Sequence, residues 1–256
     1  MQRRNFVKTL AVTAAGMGLA PQLFAAKKQR AIGVQLYTIR DAIAKDVTGS
    51  LERLSKLGYN EIELFGYNGT FFGKTPKEFA LLCNGLGLKP VSSHYVSGRT
   101  TNSPATISNG WQKAIDDASE LGLKYMVCAW LSPDERGGLD QYKKLAAACN
   151  KAGEACKKAG IQFCYHNHDF EFEKEDGKYK YDVLLNETDK DLVKMELDLY
   201  WVARAEQNAV ELFNQHPGRF PLWHIKDMDN TPKHAFTEVG NGVIDFKTIF
   251  ASANKA

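Results

Sequence analysis

The chain has 256 residues, of which 44% are hydrophobic and 25% are charged, and its formal net charge is +3 at pH 7. This composition supports one sizeable hydrophobic core and excludes a disordered or fibrous protein. The five cysteines include no Cys-x-x-Cys pair, which argues against a cysteine-based zinc or redox site and favours small buried thiols.

Residues 1–26 have the pattern of a twin-arginine export signal. Arg3-Arg4 precede an uncharged stretch from Leu10 to Leu19, which is too short to cross a bilayer, and Ala25-Ala26 suit cleavage. We therefore expect a protein that is exported folded, to the periplasm or out of the cell. No cysteine lies near the cleavage region, so no stable membrane anchor is expected.

Removal of this segment would leave a neutral chain. It holds Arg3, Arg4 and Lys8 and no acidic residue, so the 33 basic residues fall to 30, which equals the 30 acidic residues. A neutral chain without a stripe of Lys and Arg argues against nucleic acid as a partner. We expect a small, uncharged substrate instead, and association into a homo-oligomer stays open.

Seven runs rich in Val, Ile, Leu and aromatic residues recur about every 28 to 37 residues. They begin at Ile32, Glu61, Lys89, Lys124, Ile161, Val193 and Pro221. The segments between them are amphipathic, and several end on a glycine that suits a helix C-cap. These glycines are Gly58, Gly87, Gly122 and Gly160. Thr75-Pro76-Lys77-Glu78 is a capping box with proline at the first helical position.

This repeat of strand, helix and glycine predicts a (β/α)8 TIM barrel over residues 27–256. Continuous apolar strands separated by helices imply a parallel sheet that helices cover. Because no glycine-rich phosphate loop follows the first strand, a barrel is favoured over a doubly wound sheet. The segment after Phe246 is predicted to be helical and reaches Ala256 before another strand begins. We therefore expect a barrel that lacks its eighth strand.

Metal-ligand and acid–base side chains fall late in these runs, where a parallel barrel gathers its active site. They are Glu63, His94, His166, His168, Glu196, Asp198, His224, Lys226 and Asp227. Carboxylates and imidazoles at one place indicate a divalent metal or acid–base chemistry. Alternatives remain for each: a strand-end histidine can be simply hydrogen-bonded, Glu63 can cap a loop, and Glu196 can orient a ligand. Lys226 and Asp227 can form an ion pair.

Five motifs carry a resemblance to a known family. They are Ser93-His94, Tyr165-His166-Asn167-His168, Asp198-Leu199-Tyr200-Trp201, His224-Ile225-Lys226-Asp227 and Gly240-Asn241-Gly242-Val243-Ile244-Asp245-Phe246. Through them the chain from Ile32 onward resembles the xylose isomerase-like TIM-barrel superfamily, which includes sugar isomerases and epimerases related to inosose dehydratase and endonuclease IV. It is most similar to exported sugar isomerase/epimerase-like proteins.

The resemblance implies a divalent cation held by a carboxylate, an aspartate, a histidine and a glutamate from strands five to eight. Asp198 and His224 match the positions on strands six and seven. His166 occupies the strand-five position, and His168 is the alternative ligand there. The strand-eight glutamate has no counterpart before Ala256, so we expect an incomplete metal shell. Manganese is the first choice of cofactor, with magnesium, cobalt and zinc as alternatives.

The resemblance further implies a divalent-metal-dependent sugar isomerase or epimerase that removes a proton next to a carbonyl. The candidate proton-transfer or polarising groups are Glu63, Glu196 and Lys226. The candidates for carbohydrate contact are His94, Asn167, Trp130, Trp201 and Asp227, although the two tryptophans can instead be rim packing. Export and neutral charge make a 3-keto-glycoside lyase the first alternative, and a non-catalytic carbohydrate-binding protein is the second.

Overall fold

The structure is a computed structural model, and it describes residues 31–98 and 105–256. The export signal predicted for residues 1–26 lies outside the described residues. None of the helices described in these two ranges combines the length and the apolar character needed to span a bilayer.

Seven strands form one parallel sheet, and each strand pairs with the next one along the chain. They are β1 (Gly33–Gln35), β2 (Glu61–Leu64), β3 (Lys89–Val96), β4 (Tyr125–Trp130), β5 (Gln162–His166), β6 (Val193–Asp198) and β7 (Leu222–His224). The sheet curls into part of a barrel, as a TIM barrel without its last strand would. The predicted fold class is therefore confirmed, and every strand begins at the predicted residue or one residue after it.

Helices separate the strands. They are α1 (Arg40–Ile43), α2 (Val47–Lys56), α3 (Pro76–Gly85), α4 (Trp111–Leu121), α5 (Leu139–Lys158), α6 (Lys180–Glu187), α7 (Leu199–Arg204), α8 (Ala209–Gln215) and α9 (Phe246–Ala251). A short hairpin pairs Asp227–Met228 with Phe236–Thr237 directly after β7, and another pairs Lys174–Glu175 with Lys178–Tyr179. Both hairpins lie in loops that follow strand ends.

Local sequence sets the phase of this repeat. Thr75 caps α3 in a complete capping box with Glu78, as predicted. All four predicted stop glycines have positive φ, and at Gly122 (φ 84°) the glycine N–H closes the last turn of α4. A side chain at such a position would strain the backbone. Each helix therefore ends where the next strand must begin.

Apolar strand residues form the core, and the cysteines belong to it. Ile62, Leu64 and Leu197 have no exposed surface. All five cysteines are buried and none forms a disulfide. Burial raises the pKa of Cys149 to about 12, so its thiol stays neutral. The prediction of small, buried cysteines is confirmed.

Candidate active site

The register of the sheet brings the candidate residues together. His166 of β5 lies beside Glu196 of β6, and Asp198 of β6 lies beside His224 of β7. Paired residues of a parallel sheet point to the same side, so the four side chains converge at the carboxyl ends of three adjacent strands. Glu63 belongs to β2, which is not adjacent to these three strands in the sheet, and its carboxylate contacts His224.

Two histidines of the cluster each lie between Asp198 and a buried glutamate, and the Nε2 atom of His224 is in addition 3.4 Å from Glu196 Oε2. His166 places Nδ1 3.0 Å from Glu196 Oε2 and Nε2 3.7 Å from Asp198 Oδ2. His224 places Nε2 2.7 Å from Glu63 Oε1 and Nδ1 3.6 Å from Asp198 Oδ2. Each imidazole therefore uses one nitrogen to bind a glutamate and directs the other towards Asp198. Metal-binding histidines commonly have this arrangement, in which a carboxylate fixes the tautomer and orientation of the ring.

A buried atom without a partner tests whether a cation fits here. His224 Nδ1 is buried, and no hydrogen-bond partner is found for it. Such an atom is costly unless something binds it. Its neighbours, His166 Nε2 and Asp198 Oδ2, are metal-ligand atoms. The donors present therefore fit a divalent cation.

A second, overlapping set of donors includes His94. Single ligand atoms of His94, His166, Glu196 and His224 all lie within 4.8 Å of one another. However, Glu196 Oε2 is already 2.7 Å from His94 Nε2 and 3.0 Å from His166 Nδ1. We favour the set of His166, Asp198 and His224, because it uses the free nitrogen of His224 and leaves these contacts intact.

Charges within the cluster determine which imidazoles hold a proton. Burial lowers the pKa of His166 well below its usual range, so this ring is neutral with a lone pair available. Burial acts the same way on His94, but the charges of Glu63 and Glu196 prevail and raise its pKa to about 9. Burial likewise opposes protonation of His224, and Glu196 and Glu63 raise its pKa to about 10, so a cation bound at Nδ1 would have to displace a proton from this ring.

Lys226 neutralises Asp198 from the solvent side. Its Nζ lies 2.6 Å from Asp198 Oδ2, and its side chain is 36% exposed. The other oxygen of Asp198 caps α7 by accepting the backbone N–H groups of Tyr200 (3.1 Å) and Trp201 (3.2 Å). Burial would raise the pKa of Asp198, but the nearby positive charges of His224 and Lys226 lower it overall.

His168 and Asn167 are placed differently from the sequence-based expectation. His168 is not among the four clustered ligands, and its ring lies 5.4 Å from the rings of both Trp130 and Trp201. Asn167, expected to contact carbohydrate, is fully buried and accepts the backbone N–H of Asp198 at 3.0 Å. It holds the ends of β5 and β6 together instead of facing the mouth of the barrel.

Asp227 also departs from the expected substrate contact. Its carboxylate is fully buried and accepts four backbone N–H groups. They belong to Met228, Gly240, Gly242 and Ile244, at 2.9 to 3.2 Å. Lys226 does not pair with it, because the Lys226 Nζ contacts Asp198 instead. Asp227 therefore anchors the loop that follows β7.

This anchor predicts that Gly242 cannot be replaced. A Cβ on Gly242 would overlap Asp227 Oδ1 and the carbonyl oxygen of Met228, so Gly242→Ala should cost about 2 kcal/mol or more of unfolding free energy. Urea unfolding measures it. Gly85→Ala is the control, because a Cβ there meets no atom within 4 Å and should leave stability equal or slightly higher. Equal stability of the two variants would contradict the loop geometry.

Glu171 was not singled out in the sequence, although it follows His168 by only three residues. It lies in a single 3-10 turn, Phe170–Phe172, and has no exposed surface. Its carboxylate accepts the Tyr165 hydroxyl at 2.7 Å and the His168 backbone N–H at 2.8 Å. Burial raises the pKa of Glu171 to about 7, although these hydrogen bonds oppose the rise.

The raised pKa of Glu171 predicts a pH-dependent stability. Between about pH 4.3, the pKa of an unfolded glutamate, and about pH 7, the folded state holds a proton that the unfolded chain releases. Stability from this group should therefore fall by up to about 3 kcal/mol as pH rises through that window. Glu171→Gln should lack this fall, as urea unfolding at pH 5 and pH 8 would show. Glu173→Gln, at a carboxylate that is 62% exposed, should keep it; loss in both variants would reject the assignment.

Comparison with known proteins supports these observations. A sugar phosphate isomerase/epimerase from Parabacteroides distasonis is 30% identical, with a TM-score of 0.75 over 89% of this chain and 83% of that one. The inosose dehydratase of Clostridium beijerinckii is 25% identical over 75% of this chain and 74% of its own length. The IolI protein, whose crystal structure has a bound zinc atom, shares the fold at 18% identity and a TM-score of 0.67, over 89% of this chain and 86% of that one.

A family model covers most of the chain. Residues 51–256 match the model of the xylose isomerase-like TIM barrel. The match includes β2 to β7 and therefore every residue of the candidate cluster. The resemblance first noted in the strand-end motifs is thus confirmed, and this chain belongs to the xylose isomerase-like TIM barrel family.

Proposed function

We propose that this chain is a divalent-metal-dependent enzyme that moves a proton next to a sugar carbonyl, as an isomerase or epimerase does. One observation carries the proposal: His166 and His224 each bind a buried glutamate through one nitrogen and face Asp198 through the other. The names of the sugar isomerase and inosose dehydratase relatives support it.

His166, Asp198 and His224 would hold the cation. Two imidazoles and one carboxylate suit manganese, cobalt or zinc better than magnesium, which prefers oxygen ligands. A zinc atom in the IolI relative supports a metal of this kind. When bound, such a cation supplies Lewis acidity, which polarises a carbonyl and makes the adjacent C–H easier to deprotonate.

The chain's own residues would perform the proton transfer. His94 contacts both Glu63 and Glu196, with its Nε2 2.8 Å and 2.7 Å from their carboxylate oxygens. It is the most exposed of the three, with 15% of its side chain accessible. It can pass a proton between substrate and Glu196 while both carboxylates stabilise its charged form. Lys226, on the solvent side of Asp198, can stabilise negative charge that develops on a substrate oxygen.

The proposal is tested by hydrogen exchange on a sugar panel. The full chain is stripped with a chelator, reloaded with Mn2+, Co2+, Zn2+ or Mg2+, and incubated in D2O with D-fructose and with an inosose. Nuclear magnetic resonance should show deuterium at the carbon next to the carbonyl, only with a metal and at one metal per chain. The proposal would be overturned if the chain bound one metal ion and yet neither exchanged hydrogen nor eliminated a group on any sugar. It would also be overturned if the rate of deuterium exchange were the same with and without chelator.

Elimination is the second candidate reaction. It begins with the same proton removal but ends with loss of a group from the neighbouring carbon. The dehydratase relatives favour it. In the same experiment it produces an unsaturated ketone that absorbs in the ultraviolet, which separates a dehydratase or 3-keto-glycoside lyase from an isomerase. Saturable sugar binding without either product would instead indicate a carbohydrate-binding protein.

A further inference from the structure

Four rings form a continuous strip beside the candidate site. The aromatic strip comprises Trp130, His168, Trp201 and Phe236. Consecutive ring centroids lie 5.4, 5.4 and 5.8 Å apart. Trp130 is the last residue of β4 and the other three residues follow β5, β6 and β7, so the strip crosses the face of the barrel that gathers the cluster.

The two outer rings of the aromatic strip are exposed. Trp130 is 44% exposed and Phe236 is 59% exposed. Large apolar side chains exposed as a contiguous group commonly mark a binding surface. The exposure of Phe236 does not come from a loose hairpin: its ring packs 4.2 Å from that of Tyr200, whose hydroxyl donates to the His234 carbonyl at 2.7 Å. Arg204 adds a hydrogen bond of 3.1 Å to the Lys233 carbonyl.

The aromatic strip is continuous with the cluster at two points. The ring of His168 lies 5.0 Å from that of His166. The Nζ of Lys226, which contacts Asp198, lies 5.8 Å from the Phe236 centroid. A ligand bound at the cluster can therefore also contact the strip. A sugar held over His166 would leave the two ends of the strip uncovered, because Trp130 lies 5.4 Å beyond His168 on one side and Phe236 lies two ring-to-ring steps beyond it on the other.

We propose that the aromatic strip is a subsite for the second ring of a two-ring glycoside, whose first ring lies over His166, Asp198 and His224. This inference rests on the proposed function and narrows its substrate class to glycosides larger than a monosaccharide. Aromatic faces bind the apolar C–H faces of a pyranose or the ring of an aromatic aglycone. At the far end, the guanidinium of Arg136 lies 4.4 Å from the Trp130 centroid and can bond outward hydroxyls.

Paired ligands provide the test. Tryptophan fluorescence titrations of the Mn2+-loaded full chain compare one-ring methyl glycosides with their two-ring counterparts, such as methyl β-D-glucopyranoside with cellobiose and methyl α-D-glucopyranoside with maltose. For at least one pair, the two-ring ligand should bind at least tenfold more tightly. The Trp130→Ala, Phe236→Ala double variant should reduce this ratio below threefold. Phe250→Ala is the matched control, because Phe250 is 51% exposed outside the strip, and it should keep the ratio.

Three results would overturn the subsite: equal affinities within every pair, absence of binding by every two-ring ligand, or a ratio that survives the double variant. Circular dichroism and metal content of the double variant show whether a lost ratio comes from the strip or from misfolding. The deuterium-exchange experiment, and not these titrations, shows whether the proposed function fails. A protein that prefers two-ring ligands but exchanges no proton would retain the subsite and lose the enzyme assignment.

Discussion

Asp198→Asn is expected to lower the affinity for Mn2+ by about 100-fold or more and to abolish metal-dependent hydrogen exchange. The substitution removes the negative charge of the carboxylate that His166 Nε2 and His224 Nδ1 both face, at 3.7 Å and 3.6 Å. It should leave the fold intact, because asparagine can still cap α7 through its side-chain oxygen. Isothermal titration of the metal-free chain with Mn2+ measures the affinity.

Asp245→Asn provides the matched control for this change. Asp245 caps α9 by accepting the Thr248 N–H at 3.1 Å and lies outside the cluster. The same chemical change at this helix cap should leave Mn2+ affinity and thermal stability nearly equal to those of the unchanged chain. If Asp198→Asn binds Mn2+ as tightly as Asp245→Asn does, the cation is held elsewhere. The set of His94, His166, Glu196 and His224 would then be the next candidate.

Short-range signals were enough to predict the fold. The capping box at Thr75 and the glycine stop at Gly122 depend only on neighbouring residues, and both occur where they were predicted. They fix where helices start and end, and so which residues fall at strand ends. Because parallel strands place their carboxyl ends on one face, the convergence of His166, Asp198 and His224 could also be predicted.

The partners of individual side chains could not be predicted in the same way. Asp227 and Asp198 both follow a buried strand, yet one binds four backbone N–H groups and the other faces two imidazoles. The difference depends on a loop that returns 13 to 17 residues later, which no local pattern encodes. The same holds for His94, because its partners Glu63 and Glu196 come from distant strands.

Functional residues in irregular loops could not be recognised from the sequence pattern. Phe236 belongs to a two-residue strand in a hairpin, so periodicity gave no reason to select it, and its position beside Trp201 results from tertiary contacts. Glu171 is one of several acidic residues in its segment, and only its burial distinguishes it. Such residues become visible only when burial and contacts are known.

Lys226→Met is expected to shift metal binding and turnover in opposite directions. The ammonium lies 2.6 Å from Asp198 Oδ2 and so competes with a cation for the same oxygen. Its removal should tighten Mn2+ binding by about fivefold, the scale of a partly exposed ion pair. The rate of deuterium exchange with saturating metal should nevertheless fall by about 100-fold, because the positive charge near a developing oxyanion is lost.

Lys233→Met separates this effect from a general loss of charge. Lys233 lies in the same hairpin, and its backbone carbonyl, which Arg204 binds, is unaffected by the substitution. It should leave both Mn2+ affinity and exchange rate nearly unchanged. Tighter metal with undiminished exchange in Lys226→Met would mean that Lys226 only balances the charge of Asp198. Weaker Mn2+ binding in Lys226→Met would mean that the ammonium helps to position Asp198 for the cation. Tighter Mn2+ binding in Lys226→Met, together with weaker Mn2+ binding in Asp198→Asn, would assign the two residues to one site with separate tasks.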